Sequence, residues 1–277
     1  MPNHVTNKLR IIGTQEEVSA VLDQIKGDDE NIFIDFNKIE PMPKELEGTQ
    51  SPPRIISQEE YDEQQRRIEN DELSENERKF GFSRGITQEM SDNFIETFGA
   101  NNWYDWRNTF WGTKWNAYDQ SMDDDNVISF DTAWSTPFDV IQELSFMFPN
   151  IEFEVKYADE DFGYNVGTYT IKNGAILSEY RPKGGSIEAT ELALDIKEGE
   201  DYWLGEVVCN EIEENDGLLT EYAIEFIEIA HKRGFLFEDY PKVALDQLRY
   251  LAINCRQMER VAEIDEILNK IKKTDIE

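Results

Sequence analysis

The sequence predicts an α+β protein with a mainly antiparallel sheet. Segments of alternating apolar and polar residues, typical of strands, are interleaved with segments of helical spacing. Their order is strand, helix, strand, an insertion, two strands, helix and further strands. Hydrophobic residues make up 39% of the chain and aromatic residues 12%. That content is sufficient for a packed core, so it argues against a disordered acidic chain.

The N-terminal segments predict a strand, a helix and a second strand. Residues 5–12 mix β-branched with polar residues and end before a glycine, which is typical of a strand. Thr14 and Glu17 form a T-x-x-E capping box, which marks the start of a short helix with an apolar face. Residues 32–39 alternate in part and precede a Pro-Met-Pro stretch, so a second strand is predicted there.

A polar insertion is predicted between residues 44 and 100. Its residues 58–79 are mostly Glu, Gln, Arg and Asn, with too few apolar positions for a helix that faces a core. We interpret them as a surface helix or a partly mobile excursion. Helical spacing returns between residues 87 and 109.

The segments after the insertion predict two hairpins and a strand between them. An Asp-Asp-Asp-Asn run separates the strands of the first hairpin, and Asn173-Gly174 marks the turn of the second. Pro137 starts a helix, and strictly alternating apolar residues follow it as a half-buried strand. The predicted strands are 111–118, 127–134, 151–157, 164–171 and 175–180.

This order is a split βαβ layout with additional strands, and it suggests a ferredoxin-like sandwich of sheet and helices. The predicted α+β domain covers residues 1–185 and contains the insertion. Residues 186–277 are predicted to form an acidic, mainly helical C-terminal region, because apolar stripes recur there at helical spacing. Its first helix is predicted at residues 186–197.

Acidity is the strongest feature of the composition. The chain has 59 Asp and Glu residues against 27 Lys and Arg, a formal net charge of -32. Such a field repels phosphate backbones and anionic membranes, which disfavours direct nucleic-acid binding and membrane attachment. It favours a basic protein partner. The alternative is that the acidity only keeps the protein soluble or reflects a salt-adapted source.

The sequence shows no recognisable cofactor, metal or export motif. Cys209 and Cys255 are far apart and form no CxxC pair, which fits a reducing cytoplasm. The two histidines are too few and too isolated to predict a histidine-based metal site or catalytic triad. A P-loop, a secretion-signal layout and an apolar run of membrane-spanning length are also missing from the sequence. We therefore predict a cytoplasmic protein without a cofactor or metal.

Three blocks of the sequence resemble one family. They are residues 1–7 (MPNHVTN), 111–119 (WGTKWNAYD) and 130–137 (FDTAWSTP). Together they resemble the YubB-like family, whose members occur on phages, plasmids and other mobile elements. The resemblance covers residues 1–180. It implies a ferredoxin-like domain and a mobile-element setting, and it implies no particular reaction.

The WGTKWNAYD segment is the best candidate for a ligand site. Trp111 and Trp115 would offer flat stacking surfaces, Lys114 a cation, and Asn116 and Asp119 hydrogen-bonding groups. Such a set suits a nucleotide or a peptide. On a strand, however, the tryptophans would lie on one face and the lysine on the other. The competing interpretation is that the tryptophans pack the core of the sheet.

An acidic cluster in the C-terminal region is the second candidate. Between residues 186 and 230 there are 14 acidic residues and one basic residue, Lys197. Beyond Gly217, acidic side chains line the helix face opposite the apolar stripe. The candidate partner-binding residues are Glu211, Glu213, Glu214, Glu221, Glu225 and Glu228.

Two functional hypotheses follow from these candidates. The first is a non-enzymatic protein-binding module whose acidic surface imitates nucleic acid, or docks on a basic groove, and so inhibits a host defence or DNA-processing enzyme. The second is a small-ligand or nucleotide-binding protein, or an enzyme, centred on the WGTKWNAYD segment. We favour the first because of the charge. A sheet that binds nucleic acid directly is disfavoured, because few basic residues would offset phosphate repulsion.

Overall fold

The computed structural model describes residues 3–123, 125–197, 262 and 265. The chain divides into two units. The first comprises Met1–Glu160 and Gly167–Tyr180, and the second comprises Asp161–Val166 and Arg181–Glu277. The side chains considered below as candidate sites all belong to the first unit.

The described residues form a six-stranded sheet and a set of helices. The strands are β1 (His4–Ile12), β2 (Tyr118–Met122), β3 (Val127–Ala133), β4 (Glu152–Asp159), β5 (Val166–Lys172) and β6 (Ala175–Tyr180). The helices are α1 (Gln15–Ile25), α2 (Gln58–Glu69), α3 (Glu75–Phe80), α4 (Gln88–Phe98), α5 (Trp103–Phe110), α6 (Phe138–Met147) and α7 (Ile187–Ile196).

The sheet has the strand order β2-β3-β1-β4-β5-β6. β1 pairs antiparallel with both β3 and β4, β2 pairs antiparallel with β3, and β5 pairs antiparallel with β6. The succession β1-α1-β2-β3-α6-β4 is the βαββαβ arrangement of a ferredoxin-like domain. The predicted α+β, ferredoxin-like fold is therefore confirmed, and β5 and β6 extend the sheet beyond β4.

One face of the sheet packs against the hydrophobic core. In β1, alternate residues such as Val5, Leu9 and Ile11 are buried, because successive side chains of a strand point to opposite faces. β1 also buries the polar residue Asn7 on this face, where its Nδ2 donates to the buried Thr132 Oγ1 of β3 at 2.8 Å. The helices contribute apolar side chains to the same core: Val18, Val21, Ile25, Phe94, Trp106, Val140, Ile141 and Leu144.

The start of α1 confirms the predicted capping box. Thr14 Oγ1 accepts a hydrogen bond from Glu17 N at 3.3 Å, and Glu17 Oε2 accepts one from Thr14 N at 2.8 Å. The hydrogen bonds from Thr14 lower the pKa of the Glu17 carboxyl. Ser57 and Ser74 cap α2 and α3 in the same reciprocal way.

The predicted second strand at residues 32–39 is wrong. The segment contains a short 3-10 helix, Phe36–Lys38, which is capped by Asp35. Two backbone N–H groups of this segment donate to side chains instead of to a neighbouring strand. Ile34 N donates to Gln120 Oε1 and Phe36 N donates to Asn116 Oδ1, both at 2.9 Å. Because side-chain amides take the place of a strand partner, the alternation of apolar residues does not produce a strand.

The first strand of the predicted 111–118 and 127–134 hairpin also begins later than predicted. Residues 111–117 form a turn that follows α5, and only Tyr118–Met122 pair with β3 as the edge strand β2. Trp111 is the C-cap of α5, and Gly112 has a φ of 74°, the left-handed conformation in which helices commonly end. The helix end therefore overrides the β-propensity of the aromatic residues.

The excursion between α1 and β2 contains the predicted insertion. α2 has no buried residue, as expected for a surface helix. The helical spacing between residues 87 and 109 forms two helices, α4 and α5, which bury Phe94 and Trp106 in the core.

The remaining predicted elements within the described residues are confirmed. β4 buries alternate residues, and the β5-β6 turn places Asn173 and Gly174 at positive φ, as a two-residue hairpin requires. α7 begins after Ser186, which caps it. The helices predicted beyond residue 197 lie outside the described residues. Within the described residues, no helix has the length and apolarity needed to cross a bilayer.

Candidate functional site

The structure brings Lys114 and Trp115 of the WGTKWNAYD segment together, and it does not bring the other three candidate residues to them. Trp111 is fully buried in the hydrophobic core. Its Nε1 donates to the carbonyl oxygen of Glu40 at 2.8 Å, and its ring meets the rings of Phe36 and Trp106 edge to face. This side chain packs the core and presents no open face to a ligand.

Asn116 holds a neighbouring loop in place. Its Oδ1 accepts hydrogen bonds from Phe36 N and Ala117 N, both at 2.9 Å, and its Nδ2 donates to Asp35 Oδ1 at 2.7 Å. The amide thus uses both of its ends to position the segment beside β2. The fifth candidate, Asp119, is exposed and has a φ of 48°.

Lys114 lies between two tryptophan rings. Its Nζ is 4.8 Å from the ring centroid of Trp115 and 4.9 Å from that of Trp134. The negative faces of the rings attract the ammonium group. In residues 3–123 and 125–197, no carboxylate forms an ion pair with this lysine. Trp134 is 42% exposed and has a φ of 69°, which is a rare conformation for a bulky residue.

Ring contacts extend this arrangement to a second cation. Tyr104 meets Trp134 at a centroid distance of 6.2 Å and Trp103 at 5.7 Å. The Arg107 guanidinium lies 5.2 Å from the Trp103 centroid and 4.8 Å from that of Trp111. Burial lowers the pKa of Arg107, and its Nε is buried without a hydrogen-bond partner among the described residues. We name this set the cation–aromatic patch: Trp103, Tyr104, Arg107, Lys114, Trp115 and Trp134.

Sequence reasoning identified only two members of this patch, Lys114 and Trp115. Trp134 belongs to the FDTAWSTP block, but no sequence pattern shows that it contacts Lys114, which lies 20 residues earlier in the chain. The contact between Trp103 and Arg107 had a usable signal, because residues four apart in a helix lie on the same face.

Tyr118 borders the patch on the β2 side. Its ring meets that of Trp115 at a centroid distance of 6.0 Å. Its hydroxyl shares a 2.7 Å hydrogen bond with His4 Nδ1 and lies 3.2 Å from the carbonyl oxygen of Thr132. Burial raises the pKa of Tyr118 to about 12, and three nearby carboxylates contribute to the same shift. The phenol is therefore a neutral hydrogen-bonding group at neutral pH.

A second feature of the first unit is an acidic groove between the end of α1 and β2. The groove has a volume of about 410 Å³. Its lining has an apolar part, which we call the floor, and an acidic part, which we call the rim. Its one basic lining residue, Lys26, pairs with Asp23 at 2.7 Å. The floor residues are Leu22, Ile32, Phe33 and Met122, and the acidic rim residues are Asp23, Asp28, Asp29 and Glu30.

The acidic rim of this groove is built on a fixed turn. Gly27 N donates to the carbonyl oxygen of Ile32 at 2.9 Å, and Ile32 N donates to that of Asp29 at 3.0 Å. The Asp29 side chain accepts a further hydrogen bond from Asn31 N at 2.9 Å. A hydrogen bond from Lys38 lowers the pKa of Asp28. These hydrogen bonds fix the backbone conformation of the turn that carries the rim residues Asp28 and Asp29.

The remaining candidate regions support a ligand or partner site less well than the acidic groove does. The acidic residues predicted to bind a partner, Glu211, Glu213, Glu214, Glu221, Glu225 and Glu228, lie outside the described residues. A cleft of about 1140 Å³ in the insertion is lined by Arg54, Arg66 and Arg67, but each of these already pairs with a glutamate. Across the described part of the chain, no group of three or more His, Cys, Asp or Glu residues could hold a metal ion.

Comparison with known proteins gives a family match for the part of the chain that contains strands β2 to β6. Residues 110–198 match the family model described as the ferredoxin-like domain in Api92-like protein. None of the curated proteins compared matches the chain. The crystal structure of protein api92 from Yersinia pseudotuberculosis matches at 12% identity over 68% of this chain and 100% of that chain, with a TM-score of 0.34. The fold assignment rests on the family-model match and the strand order, and on those grounds the chain contains a ferredoxin-like domain similar to that of Api92-like proteins.

Proposed function

We propose that the chain is a non-enzymatic, cytoplasmic protein-binding module that recognises a basic protein partner through the acidic groove. The observation that carries this proposal is the combination of a fixed acidic rim and an exposed apolar floor in one groove. Ile32 and Met122 on the floor are 37% and 38% exposed.

The two parts of the groove match the two parts of a basic side chain. The aliphatic stem of a Lys or Arg residue packs on apolar surface, while its charged head remains at the polar edge. On this groove the stem would cover Ile32 and Met122, and the head would reach the carboxylates of Asp28, Asp29 or Glu30. The net charge of -32 would also steer a basic partner toward the protein and increase its association rate.

The resemblance to mobile-element proteins gives the partner a class. We propose a host defence or DNA-processing enzyme with a basic groove, which the acidic protein would occupy in place of nucleic acid. The glutamates at positions 211, 213, 214, 221, 225 and 228 are a separate candidate surface for a basic partner.

The proposal is tested by titrating the protein into a fluorescent peptide made of Lys and Leu at helical spacing. Peptide anisotropy is measured at about 50 mM and about 500 mM salt. The variant Asp28→Asn/Asp29→Asn/Glu30→Gln should bind about tenfold more weakly at low salt, because exposed ion pairs contribute up to about 1 kcal/mol each.

The matched control is Glu89→Gln/Asp92→Asn/Glu96→Gln, which removes the same charge from the exposed side of α4. It should bind within about twofold of the wild-type protein. Equal losses in both variants would mean that the peptide senses only net charge, which contradicts a groove-specific site. A peptide with Glu in place of Lys should not bind.

A further inference from the structure

We propose that Lys26 is a built-in competitor of the basic partner in the acidic groove, because its ammonium group occupies the Asp23 carboxylate that a cation of the partner would otherwise use. This inference rests on the function proposed above and adds to it a residue that sets the affinity of the groove. The occupant is the same basic protein partner, whose charge is complementary to the acidic rim.

The position of Lys26 is fixed by the end of α1. Lys26 is the C-cap of this helix, and its N–H donates to the carbonyl oxygen of Leu22 at 3.1 Å. The next residue, Gly27, approaches Ile32 so closely that a Cβ there would lie 2.6 Å from Ile32 Cγ2. The backbone of Lys26 is therefore held between the helix end and the turn that carries the rim, and the residue lines the groove.

The ion pair of Lys26 uses one of the rim carboxylates. Lys26 Nζ lies 2.7 Å from Asp23 Oδ1, and the two side chains are 60% and 68% exposed. An ion pair as exposed as this one is weak, so the ammonium group of a partner can take its place. That partner forms one ion pair and breaks another, so the Asp23 carboxylate adds little to its affinity while Lys26 is present.

The rest of the rim is more open to a cation. Lys38 Nζ lies 2.9 Å from Asp28 Oδ1, but the Asp28 side chain is 95% exposed. In the described part of the chain, Asp29 and Glu30 take part in no ion pair. A partner therefore gains charge contacts at Asp29 and Glu30, whereas at Asp23 it must first displace Lys26.

A purely structural role for Lys26 predicts a different result. A cation at the C-terminus of a helix interacts favourably with the helix dipole, and here it would change the stability of α1 but leave peptide binding unchanged. Repulsion between Lys26 and a cation of the partner, without competition for Asp23, would make the effects of the two residues on binding additive. A double-mutant cycle therefore distinguishes competition from both alternatives.

The test is this cycle in the full chain, with the fluorescent Lys and Leu peptide at about 50 mM salt. The variants are Lys26→Met, which keeps an unbranched stem, Asp23→Asn and the double variant. Lys26→Arg keeps a cation that can pair with Asp23, and Lys44→Met is the control that removes an exposed cation elsewhere. Circular dichroism and urea unfolding establish that each variant is folded and measure any loss of stability.

We expect Lys26→Met to bind the peptide about fivefold more tightly than the wild type, because one exposed carboxylate becomes available to it. Lys26→Arg and Lys44→Met should bind within about twofold of the wild type. Asp23→Asn should also change binding by less than about twofold, because its carboxylate is already occupied. In the Lys26→Met background, the same substitution should remove the whole gain in affinity.

Two results overturn the proposal and leave the proposed function intact. In the first, Lys26→Met binds the peptide no more tightly than Lys44→Met does. In the second, Asp23→Asn weakens binding by the same factor with and without Lys26. In both cases the variant Asp28→Asn/Asp29→Asn/Glu30→Gln still binds more weakly than the wild type. A wild-type protein that does not bind the peptide overturns both this proposal and the proposed function.

Discussion

At the scale of single residues, polar side chains in this domain mostly hold the fold together. Asn116 is the clearest case, because it was chosen as a ligand group and instead makes three hydrogen bonds within the protein. Gln120, four residues further along the chain in β2, has the same role, because its amide both accepts from and donates to the backbone of Ile34. Residue type alone does not distinguish an amide that binds a ligand from one that replaces a strand partner.

Tyr118 gives a pH-dependent prediction at this scale. The pKa of its phenol is about 12 in the folded protein, above the ordinary value of 10.0. As the pH rises from about 10 to about 12, the unfolded chain loses this proton while the folded protein keeps it. The contribution of Tyr118 to the free energy of unfolding is fully present below pH 10 and should be lost across this window. The free energy of unfolding of Tyr118→Phe should therefore decrease less steeply over the same pH range.

The measurement for Tyr118 is denaturant unfolding at several pH values, together with tyrosinate absorbance of the folded protein. Tyr118→Phe should remove a late titration step near the upper end of the window. The control Tyr180→Phe, on the exposed strand β6, should keep that step. A late step that survives in Tyr118→Phe would contradict the assignment.

At the scale of elements, a short sequence pattern determines the local structure when all the interactions that it needs lie within a few residues. The β5-β6 hairpin is fixed by Asn173 and Gly174, whose φ values are 45° and 74°. The two-residue turn requires this conformation, and it sets the pairing of the strands on either side. The same holds for the helix starts, where the reciprocal hydrogen bonds of Thr14 and Glu17 lie within one turn.

Gly174→Ala gives the prediction at this scale. A Cβ at Gly174 would lie 2.1 Å from Phe146 Cζ, whereas a Cβ at Gly81, with a φ of 86°, would meet nothing within 4 Å. Gly81→Ala should therefore lower the free energy of unfolding by about 1 kcal/mol, which is the cost of holding an alanine in the left-handed backbone conformation. Gly174→Ala should cost about 2 kcal/mol, because the Phe146 ring must also move. Urea unfolding measures both.

The double variant Gly174→Ala/Phe146→Ala separates the two contributions. Removing the ring should abolish the clash, so the alanine at 174 should then cost about as much as at Gly81. If the cost at Gly174 is the same with and without the ring, the contact with Phe146 does not limit the turn.

At the scale of the whole molecule, charge repulsion opposes folding. A net charge of -32 on one chain raises the energy of the compact state. The ion pairs of the described residues are mostly exposed, as with Lys26 and Asp23, and exposed pairs contribute little. Added salt should therefore weaken the repulsion between like charges more than it weakens the attraction within ion pairs.

We expect the thermal midpoint to rise between about 10 mM and about 150 mM NaCl, by about 2–4 °C, which corresponds to about 1 kcal/mol for a protein of this size. Differential scanning calorimetry measures the midpoint. KCl at equal ionic strength should give the same rise, and an uncharged osmolyte at these concentrations should give none. A midpoint that falls with salt would show that the ion pairs outweigh the repulsion.

The sequence by itself determined the features that short-range chemistry controls. The capping box at Thr14, the turn at Asn173-Gly174 and the alternation in β4 each depend on interactions within a few residues, so their patterns could be interpreted without knowing the fold. The strand and helix order was then enough to indicate the ferredoxin-like class.

Only the tertiary structure decided which segment became the edge strand and where the candidate side chains went. Residues 32–39 and 111–118 both carried strand-like patterns, and the choice depended on partners about 80 residues apart, the amides of Asn116 and Gln120. The same long-range packing buried Trp111 and brought Trp134 to Lys114. Contacts between distant residues leave no local pattern, because they arise from the packing of whole elements.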